Sequence, residues 1–77
     1  MSASPGEILL AEFIDPMRLS FAEVAEKSDL PVGVIYEIVD GTISIDYLCA
    51  QRLAKAFNTS TELWINLQRQ YDQAVAK

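Results

Sequence analysis

What most constrains the fold of this chain is how often its sequence starts and stops a helix. Ser4-Pro5-Gly6-Glu7 offers a capping serine, a proline at the first helical position and a glutamate three residues after the cap. Ser20-Phe21-Ala22-Glu23 repeats the pattern, and Thr59-Ser60-Thr61-Glu62 reads as a third capping box. Stops lie between these starts. Pro16 disfavours helical geometry in Asp15 before it, so the first helix should end there. Asp29-Leu30-Pro31 is a short break, and Gly41 takes the left-handed conformation at low cost. Asp46 then opens a segment that Asn58 closes. The punctuation predicts five short helices, over about 5–15, 21–28, 31–39, 46–57 and 60–76.

Each segment carries apolar residues at helical spacing. Ile8, Leu9 and Phe13 mark the first, Val24 and Ala25 the second, and Ile35, Ile38 and Val39 the third. Leu53, Ala54 and Phe57 mark the fourth, and Leu63, Trp64, Leu67 and Tyr71 the last. No strand alternation survives. A chain of 77 residues buries only about 60% of the surface its unfolded form exposes, enough for one modest core. One all-α domain over residues 1–77 is expected. Its second and third helices, of about eight residues with a short join, describe a helix-turn-helix.

The residue inventory narrows the chemistry. The chain has one cysteine, Cys49, and no histidine. It can form no internal disulfide, and neither a zinc site nor a Cys/His or Ser/His nucleophile pair can be assembled. Enzymatic activity, a metal and a cofactor are therefore not expected. No apolar run approaches the roughly 18 residues of a membrane span. Met1 to Pro5 lacks the basic-then-apolar pattern of a leader. A cytoplasmic protein with no membrane partner is the natural reading.

Longer stretches carry a family resemblance. Pro5-Gly6-Glu7-Ile8-Leu9, Leu19-Ser20 and Glu23-Val24-Ala25-Glu26 look like the opening of a HigA-type antitoxin, within the lambda-repressor-like helix-turn-helix (XRE) class. Ile45, Ala50 and Arg52-Leu53-Ala54-Lys55-Ala56-Phe57 resemble that family's fourth helix. Thr59-Ser60, Glu62 and Trp64-Ile65-Asn66-Leu67-Gln68 are similar to its most distinctive stretch, and Gln70-Tyr71-Asp72 extends the match. The resemblance runs from about Pro5 to Ala76. It implies a five-helix lambda-repressor-like domain that dimerises, represses its own operon through operator DNA and neutralises an RNA-cleaving toxin. In this class the third helix enters the major groove.

The positions that the resemblance assigns to DNA are Phe21, Val32, Gly33, Val34, Glu37 and Thr42. Bases are read mainly by Arg, Lys, Asn, Gln, Ser and Thr, and that set is nearly absent here. Asp40-Gly41-Thr42-Ile43 stands where the family commonly has an Asn-Gly-Lys-Arg-like sequence. No cation lies between Ser28 and Gln51, whereas Asp29, Glu37, Asp40 and Asp46 do, a formal charge of −4. Phosphate contacts by Lys and Arg supply most affinity for DNA, so DNA is disfavoured. The same face gathers Phe21, Val32, Val34, Ile43, Tyr47, Leu48 and Cys49, and a contiguous apolar patch usually marks an interaction site. The site chemistry therefore predicts a protein-binding module on a redesigned HigA-like scaffold, with a homodimer as a second way to cover the patch. The alternative is a HigA-type antitoxin that binds operator DNA.

Overall fold

The computed structural model describes residues 3–76. Met1 and Ser2, over which part of the leader reading was made, and the cation Lys77 lie outside the described residues. Helix α1 comprises Pro5–Leu9, a π-helical stretch Leu10–Ile14 and a closing turn Asp15–Met17. It is followed by α2 (Phe21–Ser28), α3 (Val32–Asp40), α4 (Tyr47–Phe57) and α5 (Thr61–Val75). The described residues form an all-α fold of five helices with no strand.

Two capping boxes open the first two helices. Ser4 and Ser20 accept from the backbone N–H groups of Glu7 and Glu23, and those glutamates accept from the serine N–H groups in return. The hydrogen bond from the Ser20 N–H holds the Glu23 carboxyl below the usual carboxylate range. At α5 the expectation fails in detail. Ser60 alone caps it, accepting from the Leu63 N–H at 3.1 Å, so Thr59-Ser60-Thr61-Glu62 is no capping box. Thr59 is committed elsewhere, its hydroxyl accepting from Trp64 Nε1 at 2.8 Å.

Helix α1 also departs from the prediction, running through Pro16 to Met17 instead of ending near Asp15. A proline removes one i→i−4 hydrogen bond and crowds the carbonyl four residues back. Here the turn before it is wound as a π-helix, with the Asp15 N–H donating to the Leu10 carbonyl, so the ladder has already widened where the ring enters. Arg18 then stops the helix with φ 55°.

The core is built from every helix and from the loop before α4: Leu9, Ile14, Val24, Ile35, Ile38, Ile45, Cys49, Ala50, Leu53, Ala54 and Trp64. Phe13 sits between Phe57 and Trp64, with ring centroids 5.1 and 5.3 Å away. Leu63, expected to face inward, is 37% exposed. Gly6 brings α1 against the end of α3. A Cβ there would overlap the Ile38 carbonyl and stand 2.8 Å from Val39 Cα, so no larger residue fits without moving backbone. Gln68 is buried and ties α5 to the loop between α3 and α4. It accepts from the Ile45 N–H at 2.8 Å and donates to Asp72 at 2.9 Å. No helix among the described residues is long and apolar enough to cross a membrane.

Candidate nucleic-acid interface

Helices α2 and α3 and the turn Asp29-Leu30-Pro31 form a helix-turn-helix. The turn is local in origin. Asp29 takes the left-handed conformation at φ 56°, and the N–H groups of Asp29 and Leu30 return to the Glu26 and Ala25 carbonyls. Arg52 on α4 anchors the turn from outside, its guanidinium donating to the Asp29 carbonyl at 2.9 Å and carboxylate at 2.7 Å.

Burial along α3 separates two faces. Ile35 and Ile38 are buried, and Val34 and Val39 are half-buried. Val32, Gly33, Tyr36, Glu37 and Asp40 are exposed. These five follow the i, i+1, i+4, i+5, i+8 pattern of one stripe along the helix. At the first turn of α4, Tyr47 and Leu48 are also exposed, by 63% and 53%.

This geometry sorts the residues expected on the face. Val32, Tyr47 and Leu48 are exposed there, and so are Gly33 and Glu37. Val34 and Ile43 are half-buried and packed against the core. Phe21 is half-buried too, because the Tyr36 ring closes over it edge-on at 4.6 Å. Cys49 does not belong to the surface. It is 9% exposed, and burial, followed by the neighbouring Asp46, pushes its thiol above the usual range. Position 49 is the third residue of α4 and points under the helix, which the row Tyr47-Leu48-Cys49 does not reveal. Thr42 is exposed, but its hydroxyl donates to the Glu37 carbonyl at 3.2 Å and finishes α3.

Tyr36 was missed. It is 53% exposed, at the centre of the stripe, with a phenol that can donate to a phosphate or base edge. Its place was legible as the position four residues after Val32 and beside the inward Ile35.

The electrostatics also change once partners are known. Of the four acids that gave the central segment its formal charge of −4, Asp29 is paired with Arg52 at 2.7 Å. Asp46 caps α4, accepting from the Cys49 N–H at 2.8 Å. That hydrogen bond holds its carboxyl below the usual range. Two acids, Glu37 and Asp40, remain on the exposed stripe without a hydrogen-bond role among the described residues. Pairing with Arg52 offsets the charge of Asp29, while Asp46 keeps its charge and meets only the partial positive end of α4.

The Asp46 cap carries a prediction. Asp46→Ala should cost about 1 kcal/mol at pH 7. Because the folded pKa lies below the ordinary 3.8, the native protein should keep this stabilisation above about pH 4 and lose it as pH falls through the depressed value. Urea unfolding of both proteins at pH 7 and pH 3 checks this; an equal gap at the two pH values would remove the charged cap as the cause.

The fold and this face define a lambda-repressor-like helix-turn-helix domain. No protein-family model matches the chain, but individual proteins do. An uncharacterized HTH-type transcriptional regulator of Haemophilus influenzae is 38% identical over 69 residues, covering 90% of this chain and 64% of that protein. The chain thus spans less than two thirds of that curated relative. Among solved structures, an addiction module antidote protein of a HigA family from Coxiella burnetii is 38% identical with a TM-score of 0.91, covering 99% of this chain and 84% of that one. The Pseudomonas aeruginosa antitoxin HigA, solved with the higBA promoter, is 34% identical with a TM-score of 0.93, covering 99% and 83%. The chain belongs to the HigA-type antitoxin family of XRE-like helix-turn-helix regulators.

Membership overturns the protein-docking reading of the face. That reading inferred a redesigned scaffold from missing cations and gathered apolar side chains, and it ranked DNA as an improbable partner. A relative of nearly the same fold is solved with promoter DNA, and nothing supports an engineered origin. Three of the apolar side chains used for the patch, Phe21, Val34 and Ile43, are only half-exposed against the core, and Cys49 is buried. Two of the acids counted against DNA have partners of their own.

Proposed function

We propose that this chain is an operator-binding transcriptional regulator of the HigA antitoxin type, acting in the cytoplasm with residues 1–77 as one DNA-binding domain. Helix α3 enters the major groove with Val32, Gly33, Tyr36 and Glu37 toward the bases. Phe21 sits at the rim, while Tyr47 and Thr42 lie where α4 and the loop approach the backbone. The observation that carries this reading is the match along 99% of the chain to an antitoxin solved with its promoter. In the antitoxin role it would also neutralise an RNA-cleaving toxin, which co-expression with the product of the adjacent gene tests by restored growth.

The DNA role is tested by titrating the chain with the duplex upstream of its own coding sequence, against a scrambled duplex. Preferential binding is expected. The cations of the sequence outside the Asp29 pair are Arg18, Lys27, Lys55, Arg69 and Lys77. The log–log slope of affinity against salt should therefore be no steeper than about −5 per chain, at roughly −0.9 per neutralised phosphate. No binding at low salt, or equal binding to both duplexes, would overturn the reading.

A further inference from the structure

The stripe on α3 poses a problem of recognition. Bidentate reading of guanine needs Arg or Lys, and of adenine Asn or Gln. None of these occurs at the exposed positions Val32, Gly33, Tyr36, Glu37 and Asp40. What the major groove still offers is the thymine 5-methyl group, which an apolar side chain reads by contact, and the cytosine 4-amino group, which a carboxylate can accept from. Val32 is the apolar side chain available for the first. It is 43% exposed at the first residue of α3. Its neighbour Gly33 has no side chain and nothing within 4 Å of where a Cβ would stand, so the surface next to Val32 on that side is open. Val34 cannot substitute, being packed against the core. Glu37 can serve cytosine and leaves thymine to Val32.

We infer that this chain selects its operator through thymine methyl groups, with Val32 as the reading side chain. The inference rests on the operator-binding reading above and specifies its chemistry. Removing one buried methyl should weaken binding about fourfold. Such a reader gains affinity with little charge, which suits a stripe whose ionised groups are both acidic.

The test begins with selection of sites by the full chain from a pool of duplexes with a randomised core. The best site is then remade with deoxyuridine at one thymidine position at a time, which removes the methyl and nothing else. We expect at least one position where uracil lowers affinity about fourfold. At that position Val32→Ser should bind the thymine and uracil duplexes equally, with an unchanged melting temperature. Uracil tolerated at every position, by a protein that still selects a site, would overturn methyl reading and leave the operator-binding function standing. Sensitivity that persists in Val32→Ser would assign the contact to another residue and overturn Val32 as the reader. Failure to enrich any sequence would overturn the operator-binding reading, and this inference with it.

Discussion

Replacing Val32 with aspartate should lower operator affinity at least about 100-fold, close to 3 kcal/mol, while leaving the fold as stable as before or slightly more so. The two effects have separate causes. A third carboxylate would join Glu37 and Asp40 on the stripe proposed to meet DNA, and like-charge juxtaposition across an interface costs several kcal/mol. In the free protein the same charge lies in the first turn of α3, where the helix dipole favours an anion by about 0.3–1 kcal/mol. Val32 is 43% exposed, so little core packing is lost. Fluorescence anisotropy on the operator duplex, with a thermal melt of the same sample, reads both. Retained binding would take α3 out of the groove. A large drop in melting temperature would mean that Val32 packs inward, and the stripe would have to be redrawn.

The architecture was legible in the sequence because its determinants are local. Ser4 and Ser20 find their partners three residues away, and Ile35 and Ile38 lie one turn apart on the buried side of α3. What the sequence obscured depends on distance or on backbone detail. The rule that proline ends a helix says nothing of a π-turn that widens the ladder before Pro16. Of the adjacent candidates Thr59 and Ser60, the choice of cap was decided by Trp64, whose indole claims the Thr59 hydroxyl.

Charge and apolar content point away from DNA for a related reason. Summing formal charge over residues 28–51 treats each acid as free, yet Asp29 meets Arg52, 23 positions away. Asp46 keeps its charge but faces the N-terminus of its own helix, which partly offsets it. Listing apolar residues near the groove likewise treats each as exposed. Val34, Ile43 and Cys49 contribute instead to the core or its margin. What remains after both corrections is one exposed valine and one exposed tyrosine on α3, with Tyr47 and Leu48 exposed at the start of α4. Contiguous apolar patches of a few hundred Å² are ordinary on monomers, so these side chains do not by themselves demand a protein partner.

The same packing makes Trp64 the position where a single truncation should matter most for stability. Its side chain is fully buried, lies 5.3 Å from the Phe13 ring and donates to Thr59 at 2.8 Å. Trp64→Ala should destabilise the fold by about 3–5 kcal/mol, the loss of a large aromatic plus the cavity it leaves. A chain of this length has roughly 4–12 kcal/mol in total, so a large part of the margin disappears. Trp64→Phe keeps most of the apolar contact and loses the hydrogen bond, and should cost about half as much. Denaturant midpoints for the three proteins test this order. Equal midpoints for the alanine and phenylalanine variants would mean that the hydrogen bond to Thr59, and not burial of the ring, holds α5 in place. Because Trp64 is remote from the α3 stripe in sequence and fully buried, operator affinity should fall only with the folded fraction. Saturating operator duplex should therefore restore binding by the alanine variant, as mass action draws the folded state back. Val32→Asp, which damages the surface and spares the fold, should show no such recovery.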